Sequence, residues 1–274
     1  MEKINHGKIK PLIYKYLEIL QSLGYTHLSF PRTLKKETEQ SIEASKTNKL
    51  SDLSSSLNTS YQKITPKEKV DQELNLLKKK VENCQYCQHL VAFRTQTVFG
   101  SGNPLSKLMF VGEAPGAEED QQGEPFVGPA GQLLTKMIKA MGLSRDQVYI
   151  ANVLKCRPDI PKGQKGNRKP TPEEMATCLP YLLSQIRLIN PKVIVALGAT
   201  AYEGLTGKIG IKISEVRGKF IDFNGAFLIA TYHPSYLLHN PSLANKRKVW
   251  EDMLAVMSKL QMPISEKQKN YFLS

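Results

Sequence analysis

The sequence predicts an α/β fold in which a mostly parallel sheet is covered by helices on both faces. Four apolar runs read as strands: LMFV at 108–111, VYIANV at 148–153, VIVAL at 193–197 and FLIAT at 227–231. Between and after them, apolar residues recur at helical spacing. Strands that alternate with helices join in parallel and need helices on both faces of the sheet.

In chain order, Leu12, Ile13, Tyr16, Leu17, Leu20 and Leu23 form one helical face, and Gly24 follows where a C-terminal cap would sit. Residues 1–30 are therefore expected to be a helical segment. From 31 to 64 the chain is a Ser/Thr/Lys/Glu mixture with Tyr61 as its single aromatic residue, the composition of a disordered linker. Thr65-Pro66-Lys67-Glu68 then opens a helix as a capping box, and Val70, Leu74, Leu77 and Val81 form its apolar stripe. The globular domain is placed at 65–262, leaving 263–274 as a tail.

Within that domain, Leu133, Leu134, Met137, Ile138 and Met141 mark a helix after the first strand. A second capping box, Thr171-Pro172-Glu173-Glu174, opens one that carries Met175, Leu179, Leu182, Leu183, Ile186 and Ile189. Val249, Trp250, Met253, Leu254 and Met257 mark the last.

With 41% apolar residues in 274, the chain can bury a core. No run approaches the ~20 apolar residues of a membrane span, and the first residues lack the apolar block of a signal peptide, so a cytoplasmic location is expected. The formal charge is +13. It is divided about evenly between residues 1–80 and the rest, as a solvated basic surface would be, yet it also favours a polyanionic partner through counterion release.

Ligands of open parallel sheets bind where strands end. Gly112-Glu113-Ala114-Pro115-Gly116 follows the first strand, Asn152 closes the second, and Tyr232-His233-Pro234-Ser235 follows the last. The segment GEAPGAEED has neither G-x-G-x-x-G nor G-K-[ST]. Its carboxylates, Glu113, Glu118, Glu119 and Asp120, would repel a phosphate, so it suits a neutral ligand or a developing positive charge. It also reads as a structural turn with exposed acids. Phe126 in GEPFVGPAG reads as a core aromatic or as a loop residue at the same site.

Four cysteines, Cys84, Cys87, Cys156 and Cys178, include one C-x-x-C pair. In a cytoplasmic protein this set points to metal rather than disulfides, and four thiolates suit zinc or an iron-sulfur cluster equally.

GEAPGAEED, GEPFVGPAG, NVLKCRP and HPSYLL, in this order and with these cysteines, closely resemble the family 4 uracil-DNA glycosylases over about residues 80–260. The resemblance implies a three-layer α/β/α fold with a central four-stranded parallel sheet, and a [4Fe-4S] cluster on the four cysteines. It implies a monofunctional enzyme that flips uracil out of DNA and hydrolyses its N-glycosidic bond; the expected partner is uracil-containing DNA, single- or double-stranded, with no membrane partner and a monomeric state. Glu113, His233 and Asp120 would be catalytic. Gly112, Ala114, Pro115, Glu119, Phe126 and Asn152 would hold the base, Phe126 by stacking and Asn152 by reading its pairing edge.

Ser235, Tyr236 and Leu237 would meet the DNA, with Tyr236-Leu237-Leu238 as an apolar wedge, and Arg247 within Lys246-Arg247-Lys248 would contact phosphate. A related group captures the sugar covalently with a histidine-bearing basic loop between the later cysteines. Here that loop carries Lys162, Lys165, Arg168 and Lys169 but no histidine, which keeps the hydrolytic reading. Two alternatives stand beside it: a non-catalytic iron-sulfur nucleic-acid-binding protein, and a zinc-stabilised nucleotide-binding enzyme with a Rossmann-like sheet.

Overall fold

A computed structural model of the chain describes residues 65–161 and 166–273. The expected N-terminal helix, the linker at 31–64, and Lys162 and Lys165 lie outside them. Helix α1 (Pro66–Glu82) starts as anticipated: the Glu68 amide donates to the Thr65 hydroxyl at 3.2 Å, and the Thr65 amide donates to the Glu68 carboxylate at 2.7 Å. Helix α2 (Gln88–Phe93) follows the C-x-x-C pair.

Six strands form one sheet in the order β1-β3-β2-β4-β6-β5. They are β1 (Ser101–Gly102), β2 (Leu108–Gly112), β3 (Tyr149–Asn152), β4 (Val193–Leu197), β5 (Phe220–Phe223) and β6 (Ala226–Thr231). The four expected strands are the central ones, β3-β2-β4-β6, and they are mutually parallel. Antiparallel β1 and β5 add an edge on each side. The β5–β6 hairpin turns at Asn224 and Gly225, both at positive φ, 53° and 85°. Asn-Gly is the pair that such a two-residue turn favours, and β5 with its hairpin is an addition to the four expected strands.

Alternate residues of each central strand point to opposite faces. Met109, Val111, Ile194 and Ala196 pack with Leu77, Leu182, Ile186 and Tyr202, hence with α1, α5 (Pro172–Ile189) and α6 (Ala199–Thr206). Leu108, Phe110, Val193 and Val195 pack with Leu134, Ile138, Trp250 and Met253, on α4 (Pro129–Ala140) and α9 (Leu243–Lys259). Burial on both faces explains why these strands read as continuous apolar runs.

Residues 263–273, expected as a tail, are docked. Within them, α10 (Glu266–Lys269) accepts from the Trp250 indole through the Gln268 carbonyl at 2.6 Å, and the Gln268 amide donates to the Ala140 carbonyl at 2.9 Å. Among the described residues, no helix is long and apolar enough to cross a membrane.

The topology fixes the place of a ligand. The chain leaves β2 toward β3 on one side and leaves β4 toward β6 on the other, so a crevice opens between the carboxyl ends of β2 and β4.

Candidate active site

A cavity of about 580 Å³ occupies that crevice, lined by residues from the ends of all four parallel strands. It brings together Glu113, Ala114, Pro115, Glu119, Phe126, Asn152, His233, Ser235 and Tyr236 from the expected set.

Asn152 closes β3 and is 2% exposed, and its Oδ1 has no hydrogen-bond partner. A buried orphan of this kind costs about 1–3 kcal/mol, so it marks a position that a ligand can complete. Phe126 lies beside it, held at φ 56°. Side chains rarely adopt that conformation unless their surroundings impose it. Here Arg145 donates to the carbonyls of Pro125 and Phe126 at 2.7 and 3.1 Å, and Glu119 Oε1 accepts from the Val127 and Gly128 amides, both at 3.0 Å. Gly112 makes the fit possible: a Cβ there would fall 2.3 Å from Asn152 Oδ1 and 2.5 Å from the Phe126 ring.

The imidazole of His233 stands 5.8 Å from the Phe126 ring, centroid to centroid. Burial pushes its pKa down to about 4, against the opposing charge of Glu119. The ring is therefore neutral at pH 7. The Ser235 amide donates to Nδ1 at 3.2 Å and the Ser235 hydroxyl lies 2.7 Å from the same atom, which leaves the ring proton on Nε2.

Glu113 directly follows β2. Burial raises its carboxyl, while a hydrogen bond with Thr200 and the charge of Lys169 act in the opposite direction and Glu203 adds to the rise. Thr200 and Lys169 both line the cavity, and neither was expected at the site. Thr200 was within reach of the strand-end rule, because it follows β4 by three residues.

Glu119 serves the site through backbone. Besides the two amides above, it accepts from the Gly116 amide at 3.1 Å. The amide that would greet a phosphate on this turn is thereby occupied by a carboxylate, which disfavours the nucleotide-binding alternative.

Three expectations need correction. Asp120 is 3% exposed, does not line the cavity, and takes the Thr95 amide with both carboxylate oxygens at 3.0 Å. Successive residues of helix α3 (Ala117–Gln122) point about 100° apart, so Glu119 faces the site and Asp120 a neighbouring loop. Leu237, on α8 (Pro234–His239), is 5% exposed and belongs to the core beneath, leaving Tyr236 and Leu238 as the outward residues of the anticipated wedge. Tyr236 stacks on Tyr232 at 4.6 Å. Arg247 pairs with Glu251 at 3.0 Å and donates to the carbonyls of Lys269 and Tyr271 at 2.7 and 2.9 Å. Its guanidinium holds the C-terminal segment, so it is engaged within the chain rather than free to meet phosphate.

None of the four cysteines is joined in a disulfide, and they surround one small space with Arg94 and Tyr181. Arg94 donates to Cys156 Sγ at 2.9 Å and to the Cys84 carbonyl at 3.0 Å, and the Lys155 amide donates to Cys178 Sγ at 3.3 Å. Burial raises the Cys156 and Cys178 thiols, so thiolates here need a positive centre.

Lys155 joins this space to the ligand cavity. Its ammonium is fully buried, donating to the Asn152 carbonyl at 2.8 Å and to Gln185 Oε1 at 2.6 Å. Burial pushes its pKa down to about 7, against the opposing pull of Cys178 and Cys156.

The candidate ligand atoms that crowd within 4.8 Å of one another, among the described residues, are those of His89, Asp159 and Glu174. Arg168 fills that group, bonding both Asp159 and Glu174. It thereby anchors the loop that carries Asn167 and Lys169 to the cavity wall.

The fold and this cavity define a strand-end pocket walled by an aromatic ring, a buried amide, a carboxylate and an imidazole. A family model of the uracil DNA glycosylase superfamily matches residues 99–254, and the chain belongs to that superfamily. The type-4 uracil-DNA glycosylase of Thermotoga maritima is 48% identical over 181 residues, covering 66% of this chain and 91% of the relative. That of Sulfurisphaera tokodaii is 42% identical over 208 residues, covering 73% and 90%. A type-5 uracil-DNA glycosylase of Pyrobaculum aerophilum is 30% identical over 186 residues, covering 57% and 79%. Within the superfamily, this chain stands with the type-4 branch.

Proposed function

We propose that this chain removes uracil from DNA by hydrolysing the N-glycosidic bond, leaving an abasic site, as the first step of base excision repair. The observation that carries the reading is the unpartnered Oδ1 of Asn152, buried beside Phe126 and the bare Cα of Gly112. Uracil presents an N3–H donor next to its O4 acceptor, and the Asn152 amide offers the complement. Cytosine presents the reverse pattern and would leave both groups unpaired. Stacking on Phe126 offsets part of the few kcal/mol needed to flip the nucleotide out.

Bond cleavage develops positive charge on the sugar and negative charge on the departing base. The Glu113 carboxylate orients a water and stabilises the sugar. The neutral His233 donates its Nε2–H toward O2 of the base, acting as a fixed hydrogen-bond donor rather than an acid that gives up a proton. Every participating side chain comes from one chain, so a monomer suffices.

Cys84, Cys87, Cys156 and Cys178 would hold a [4Fe-4S] cluster. The four cysteines line one small space, and the raised thiols of Cys156 and Cys178 call for a positive centre, as a metal cluster would supply. Bound there, the cluster supplies a structural cross-link among α1, α5 and the chain after β3.

The test uses single- and double-stranded oligonucleotides carrying one uracil, assayed for alkali-labile sites. Wild type is expected to cleave them, and Asn152→Ala and His233→Ala to lose most of the excision. Near-wild-type turnover by either variant would sink the assignment.

A further inference from the structure

Helix α6, which starts at the cavity just after β4, ends in a loop that the excision chemistry does not use. We propose that residues 207–212, Gly-Lys-Ile-Gly-Ile-Lys, are a second DNA-contacting element. On this reading Ile209 packs against the base face exposed beside the flipped nucleotide, and Lys208 and Lys212 meet the flanking phosphates of the same strand. This deepens the uracil-excision reading and rests on it.

Ile209 is 70% exposed, the highest value for any large apolar side chain among the described residues. It sits between two exposed lysines, with no acidic residue in the loop. Gly207 and Gly210 have φ of 70° and 76°, and a Cβ at either would meet nothing within 4 Å. Their backbone lets the chain turn outward into open space and present the isoleucine to solvent.

The base of the loop is fixed: the Ile211 amide donates to Glu203 Oε1 at 3.0 Å, and the Lys208 amide to the Thr206 hydroxyl at 3.4 Å. Ile213, the first residue of α7 (Ile213–Val216), lines the ligand cavity. Four residues reach at most about 14 Å, so Ile209 stands within one DNA width of the pocket. Tyr236 lines the cavity from the helix after β6, with exposed Leu238 two residues on, and the 207–212 loop supplies an apolar point from the end of α6. The ligand chemistry follows: a polyanion attracts the lysines, and a base that has lost its stacking neighbour offers the apolar face.

The experiment uses the full chain. Affinity for an oligonucleotide with a stable abasic-site analogue is measured against salt for wild type and K208Q/K212Q. Removing two phosphate contacts is expected to reduce the slope of log K against log salt by about 1.4 to 1.8. I209A is expected to raise KM for uracil-containing DNA about tenfold, with kcat and the unfolding temperature unchanged, because the side chain is exposed. An unaltered salt slope in the double variant, or an unaltered KM in I209A, overturns the proposal. The binding arm needs no excision. Failure of wild type to release uracil would therefore refute the function while the loop's contact with DNA is still scored.

Discussion

Gly112→Ala isolates the architecture of the base pocket with a single methyl group. The added Cβ would lie 2.3 Å from Asn152 Oδ1 and 2.5 and 2.6 Å from two carbons of the Phe126 ring, about 1 Å inside ordinary contact. Phe126 cannot retreat easily: its carbonyl accepts from Arg145, and Gly131 packs so closely that even a Cβ would strike that carbonyl at 1.8 Å. Asn152 is fixed by the ladder to β2 and by Lys155. Overpacking at such a site costs about 1–3 kcal/mol. Because the atoms displaced are the two that would hold uracil, most of it should fall on excision. The expected result is a loss of roughly 5- to 150-fold in kcat/KM, read by single-turnover excision of uracil from an oligonucleotide, with calorimetry alongside. A variant within threefold of wild type would show that the pocket is not set by this contact.

Asp120→Ala should leave excision within about threefold of wild type. It should lower stability by about 1–3 kcal/mol, because the Thr95 amide loses its buried acceptor; thermal unfolding paired with an activity assay separates the two. Excision should rise with pH as Glu113, held above the ordinary carboxylate range by burial, ionises, and His233, with its value of about 4, should add no inflection near 6.5, where an ordinary histidine titrates. The same histidine contributes stability that is full above about 6.5 and lost as pH falls through about 4; a rate inflection near 6.5 that vanishes in His233→Asn would contradict this. Lys155→Met leaves the Asn152 carbonyl and Gln185 Oε1 without their donor. Each such loss costs about 1–3 kcal/mol, so a falling unfolding temperature in calorimetry is expected.

The central sheet was legible because both its faces are buried, which writes each strand as an unbroken apolar word. The hairpin at Asn224-Gly225 went unread although its turn pair is written in the sequence, whereas β1, two residues long, carries no periodic signal. At the site, Glu113, Phe126, Asn152 and His233 stood at strand ends or in a marked loop, and the cavity brings them together. What stayed hidden was direction. A six-residue helix gives no sequence cue that Glu119 turns inward and Asp120 away, or that Leu237 and Leu238 part company. Arg247 lay in a basic triplet whose orientation depends on a C-terminal segment docked through Trp250. Lys169 reaches Glu113 only through tertiary folding, whereas Thr200 stands three residues past a strand end.

The five residues from Asn152 to Cys156 behave as a ruler of fixed length. Val153 and Leu154 amides donate to Gly112 and Glu113 carbonyls, the Lys155 amide donates to Cys178, and the Lys155 carbonyl accepts from Val98. Side chains along this stretch can be exchanged at a graded cost, but an inserted or deleted residue has nowhere to go, because one end is set by the pocket and the other by the cysteines. Relatives that keep both features are therefore expected to keep three residues between the asparagine and the cysteine, while the loop beyond Cys156 is free to change length.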